Sequence, residues 1–209
     1  MAATAQRVLA AVVAGLVLGL FSAIGDGLPP DTPLHVVVAL ANAAGPWLAA
    51  AFAVGALQER PRAGAIAGLL TVAIAIGAYY AAIYAGGHEV ANLAGLLASW
   101  LAIAAVAGPL LGAAGAGWAR SRGRLHVLGL AILCGGLLAE AAFRFIQIEG
   151  WTGIDLGRSY WQIAIVDLLG AVALPLLFLE RSTRLEGYAW TLLTGAVGLA
   201  VIAGITAAL

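Results

Sequence analysis

Seven runs of almost unbroken apolar residues decide what this chain can fold into. They cover residues 8–24, 34–57, 65–85, 90–118, 126–148, 160–179 and 188–209. A helix needs about 20 residues to cross ~30 Å of hydrocarbon, and the runs are of that order. The runs are rich in Ala, Leu and Gly and show no strand alternation. In lipid, such a segment satisfies its own backbone only as a helix. The expected fold is all-α: a polytopic transmembrane bundle of about seven helices, one domain over residues 1–209. The chain is 63% hydrophobic and 10% charged, against roughly 25% charged in a soluble domain. That is too little polar surface to cover a water-facing exterior.

The arginines orient the bundle. Arg7 precedes the first run, and Arg60 and Arg62 separate the second from the third. Arg120, Arg122 and Arg124 separate the fourth from the fifth, and Arg181 and Arg184 the sixth from the seventh. The alternate connections carry Asp26, Asp31, Glu89, Glu149 and Asp155, with only Arg158 against the trend. The positive-inside rule then places the N-terminus in the cytoplasm and the C-terminus outside. The first run also has features of a secretory signal, with Arg7 as its basic end and Ser22-Ala23 near a cut. Ile24-Gly25-Asp26 is a poor cleavage context, so a retained helix is expected.

Charge composition excludes several classes. The basic and acidic residues balance, and every basic one is arginine. A nucleic-acid partner is not expected without a basic face, and a retinal Schiff base has no lysine to form on. The single cysteine, Cys134, cannot form an intrachain disulfide and reads as a small packing residue. No Walker loop, dinucleotide glycine fingerprint, Gly-x-Ser-x-Gly or His-Glu-x-x-His is present. His35 and His88, with Asp31 and Glu89 nearby, lack close metal-ligand spacing, so neither metal nor cofactor is expected.

The chemistry-bearing stretch is Leu137–Gln147, where Glu140 and Arg144 interrupt an oily run. They are i and i+4, on one face of the fifth helix, in the favourable acid-first order. Asp167 lies at a similar depth on the sixth helix, counted from the same membrane side at 1.5 Å per residue. Together the three leave one negative charge, which in lipid calls for a proton, a cation or a further donor. Asn42, Tyr80 and Trp100 fall at comparable depth, and aromatic faces beside excess carboxylate suit a cationic solute. The candidate binding residues are therefore Asn42, Tyr80, Trp100, Glu140, Arg144 and Asp167, with no catalytic residue assigned. Tyr84, Trp118, Trp151, Tyr160, Trp161 and Tyr188 fit the interfacial aromatic belt. The plainer alternative is that Glu140, Arg144 and Asp167 only staple the fifth helix to the sixth.

Sliding the chain by about 63 residues lays Gly45-Pro46 on Gly108-Pro109, a weak internal repeat. Pro175 would mark a third copy, giving a leading helix plus three helical hairpins. Gly15-x-x-x-Gly19, Gly64-x-x-x-Gly68 and Gly108-x-x-x-Gly112 allow close helix approach, read as packing within one bundle rather than dimerisation.

The pattern Asn42…Gly45-x-Trp47…Ala51-Phe52-x-x-Gly55, Gly64…Gly68, Gly77-x-Tyr79-Tyr80, Gly108-Pro109-x-x-Gly112 and Ala139-Glu140 resembles an uncharacterised family of small integral membrane proteins. These occur mainly in actinobacteria and related bacteria and are classed as a domain of unknown function. The resemblance implies a bacterial inner-membrane protein and carries over no activity. Size and helix count are also similar to the substrate-binding subunits of energy-coupling-factor transporters, by fold-level analogy alone.

Three functions fit. The favoured one is a small-solute transporter or solute-binding transporter subunit, with an outward-facing pocket. Its energy would come from an ion gradient or a separate energising partner. The second is a structural or accessory membrane protein, and the third an intramembrane enzyme acting on a lipid or isoprenoid. Partners expected are the bilayer and a small solute; whether the chain forms a homo-oligomer is left open.

Overall fold

The computed structural model describes residues 2–26, 28, 37, 40, 43–87, 92–146 and 157–208. Among these there are seven helices and no strand. They are α1 (Ala2–Asp26), α2 (Ala44–Ala56), α3 (Pro61–Ala85), α4 (Leu93–Arg120), α5 (Arg124–Ile146), α6 (Gly157–Phe178) and α7 (Arg184–Ala208). Six are long and apolar enough to cross a membrane. The chain is a multi-pass membrane protein.

The exception is α2. Its 13 residues rise only about 20 Å, against a hydrocarbon core of ~30 Å. The second apolar run was expected to be helical over 34–57; of its first ten residues, most lie outside the described ones. The described helix begins at Ala44, two residues before Pro46.

Glycine decides how the helices pack. Gly64 and Gly68 of α3 lie against the backbone of Gly112 and Gly108 in α4, so close that an added Cβ would overlap it. Gly15 and Gly19 of α1 lie in the same way on the Thr71 and Ala75 carbonyls of α3. Gly55 and Gly115 bring α2 onto α4. All three GxxxG spacings therefore join helices of one bundle. Without a hydrophobic drive in lipid, this close van der Waals contact is what holds helices together.

The contacts run in sequence through the bundle: α1 on α3, α3 on α4, α2 and α5 on α4, then α6 and α7 on α5. The last two helices touch each other little and both lean on α5. α5 is accordingly the most enclosed span. Its core side chains Val127, Leu130, Leu133 and Cys134 pack with Ala51, Phe52 and Leu111 of α2 and α4. Apolar residues elsewhere face outward, as lipid contact requires: Val106 is 71% and Leu177 73% exposed.

The arginine-bearing turns gather at one end. Arg7 pairs with Glu59 at 2.8 Å, tying α1 to the α2–α3 turn. That hydrogen bond and the Arg7 charge hold the Glu59 carboxyl below its ordinary range. Arg120 Nε donates to the Gln58 carbonyl at 3.1 Å, and Arg184 Nη2 to the Leu176 carbonyl at 2.7 Å. Trp118 was expected in the interfacial belt, but it packs inward instead. It stacks on His126 at 5.8 Å and meets Phe52 at 5.6 Å and Phe178 at 5.8 Å. The reason is local: Trp118 falls where α2, α4, α5 and the end of α6 converge.

Candidate functional site

A helix start leaves up to four backbone N–H groups without intrahelical partners. At α2 the preceding residue is Ala43, which has no side chain that can cap. The Ala43 N–H donates to the Leu40 carbonyl at 3.2 Å. The next two donors find an acceptor on a different helix. Ala44 N–H donates to Glu140 Oε1 at 2.8 Å, and Gly45 N–H to Glu140 Oε2 at 2.6 Å. Pro46 has no N–H to offer. The first turn is thus satisfied by a carboxylate that lies 95 and 96 residues further along the chain.

Glu140 carries a second load. Arg144, one turn on, donates to Oε1 from Nε at 2.9 Å and from Nη2 at 2.7 Å. Oε1 therefore accepts three N–H groups and Oε2 one. Both side chains are largely enclosed, at 6% exposed for Glu140 and 15% for Arg144. The carboxylate sits between a guanidinium and the positive end of a helix dipole, each of which favours negative charge.

Asp167 completes the cluster from α6. It is 3% exposed and stands beside Glu140, within electrostatic reach of Arg144. Its Oδ1 occupies the space that a Cβ on Gly45 would need, with a methyl of Leu137 close by. Gly45 is thus the residue that lets α2 approach the acid pair. Asp167 Oδ2 is buried and has no hydrogen-bond partner among the described residues. A buried polar oxygen without a partner is uncommon and marks a place where something else belongs.

Three of the six expected residues, Glu140, Arg144 and Asp167, come together at the meeting point of α2, α5 and α6. Asn42 lies outside the described residues, as do His35, His88, Asp31 and Glu89. Tyr80 is half-buried on α3, edge-to-face with Tyr79 at 4.9 Å. Trp100 is 50% exposed on α4, which turns much of its indole away from the bundle. Beside the cluster, Phe145 and Trp161 pack edge-on at 5.2 Å, holding α5 to α6. The backbone donors of Ala44 and Gly45 were not anticipated. The one signal for them was Gly45-Pro46, since proline is tolerated in the first turn of a helix.

Glu140 and Asp167 are both buried in this structure. A cleft of about 150 Å³ lies at the other, arginine-bearing end, between α1 and α3, lined by residues including Arg7, Gln58 and Leu70. Among the described residues no group of three His, Cys, Asp or Glu side chains converges. The arrangement suits it to hold one charge that answers Asp167.

A family profile described as a family of unknown function (DUF6518) matches residues 1–209. No curated protein and no solved structure matches the chain.

Proposed function

The chain belongs to the DUF6518 family of unknown function, and from its own residues we propose that it binds and carries a small solute across a bacterial inner membrane. The observation that supports this is the start of α2 inside the bundle, on an acid pair with one oxygen unanswered. Helices that begin within the membrane and aim their N-terminal donors at a charged group are a recurrent device of transporter sites. Glu140, Arg144 and Asp167 form the centre of the proposed site. Trp100 is left out because of its exposure.

In this reading, opening parts the α2 N-terminus from Glu140 and admits the solute from outside. An excess carboxylate favours an amine or other cationic solute. Small amines and quaternary ammonium ions, screened by thermal stabilisation and then by uptake into proteoliposomes, test the reading. Loss of binding in Glu140→Gln or Asp167→Asn, with folding intact, supports it. Unchanged binding and uptake in both variants would sink it.

A structural role is the second reading, favoured by the fact that all four donors to Glu140 come from the protein itself. It expects Glu140→Gln to change stability and nothing else. The proposed orientation has the N-terminus in the cytoplasm and the C-terminus outside, on the strength of the arginine turns. Reporter fusions active only on one side of the membrane, placed after Leu209 and within the Arg120–Arg124 turn, test this. Opposite sidedness of the two is expected.

A further inference from the structure

We propose that Asp167 is a proton site, the group through which this cluster takes up and releases an exchangeable proton, with Glu140 as its hydrogen-bond acceptor. The proposal deepens the transport reading by naming the coupling ion, and it rests on that reading only for what the proton would drive.

The charge count comes first. Glu140 is matched by Arg144 and by the α2 N-terminus, through four N–H donors at 2.6–2.9 Å. Those donors occupy both of its oxygens. Asp167 has no such set. It shares the neighbourhood of the same guanidinium but Oδ2 has no hydrogen-bond partner among the described residues. Among the described residues, two buried carboxylates with one arginine leave a negative charge in a low-dielectric setting, where an unmatched charge is unfavourable.

What can answer that charge is limited by space. A hard metal cation takes about six or more oxygen ligands. The described residues bring no third acid to the pair, and Gly45 and Leu137 fill the space around Asp167 Oδ1. A proton needs one acceptor and no volume. The groups facing Asp167 are then few. From α5 they are Glu140 and Arg144, and from α2 the Gly45 backbone. α7 has Arg184 and Glu186 in its first turn, at the opposite end of the bundle.

The proton step is simple. On release, the Asp167 O–H bond breaks, its electron pair stays on the carboxylate, and the proton passes to water. A second carboxylate then faces the same Ala44 and Gly45 donors and competes with Glu140 for them. Proton release would therefore loosen the α2 N-terminus, linking the charge state of α6 to the position of α2.

Infrared spectroscopy of the whole protein in lipid nanodiscs, with carboxyl-labelled ¹³C aspartate, tests the proposal. Asp167 is the buried aspartate among the described residues. The expected result is a carboxylic-acid carbonyl band that shifts with the label, comes and goes reversibly with pH while the protein stays folded, and is lost in Asp167→Asn. Absence of any label-sensitive band, or its persistence in a folded Asp167→Asn, would overturn the proposal. If that variant does not fold, the labelled wild-type spectrum decides alone. The readout needs no transport. A protein with the band but no solute uptake keeps the proton site and removes the transport reading; uptake without the band does the reverse.

Discussion

Replacing Gly45 with alanine would drive a methyl group into the Asp167 carboxyl, because Oδ1 lies where the added Cβ would sit. Overpacking of this kind costs about 1–3 kcal/mol, and a thermal unfolding assay in detergent should show the loss. Glu140→Ala should cost more, about 3–5 kcal/mol, since it removes the buried carboxylate that accepts from Arg144 and caps α2. Glu140→Gln keeps one acceptor and should fall between that variant and wild type. Arg144→Lys should also weaken the bundle, because an ammonium cannot present the forked Nε and Nη2 pair. At this scale the sequence was partly legible. Glu140 and Arg144 were readable from their spacing and Asp167 from a depth count. The donors of Ala44 and Gly45 were not, because a backbone N–H leaves no trace in residue type.

Helix α4 meets α3 along a seam of four glycines, and the seam allows a controlled comparison. Gly112→Ala places a methyl on the Gly64 carbonyl and should lower stability by about 1–3 kcal/mol. Gly77→Ala, on α3 with nothing within 4 Å of the new methyl, should instead hold or gain up to about 1 kcal/mol in the same unfolding assay, the helix-propensity gain of alanine over glycine. A similar loss in both would mean that contact at the added methyl does not govern the seam. The elements themselves were largely legible, since run length and arginine turns set their number and limits. The start of α2 was not. Hydropathy continues smoothly through residues 34–57, so apart from Gly45-Pro46 the start at Ala44 left no sequence signal.

The molecule as a whole is tied at its arginine end by pairs that are exposed, such as Arg7 and Glu59. A carboxyl held below its ordinary range adds stability above that range and loses it as pH falls through its folded value. Unfolding should therefore show a small acid-side loss in wild type that Glu59→Gln abolishes and that added salt diminishes. The distance in sequence between Ala44 and Glu140 has a consequence for how the protein is made. During synthesis α2 enters the translocon long before α5 exists, so its first turn waits with open donors in the membrane. Nascent chains that stop short of Glu140 should leave the second segment unsettled, and ones extended past Ile146 should lock it. Cysteine-accessibility mapping at Ala43 on stalled chains of both lengths would reveal the difference, with protection arriving only once the fifth helix has emerged. Biogenesis would then have a late checkpoint, set by one glutamate.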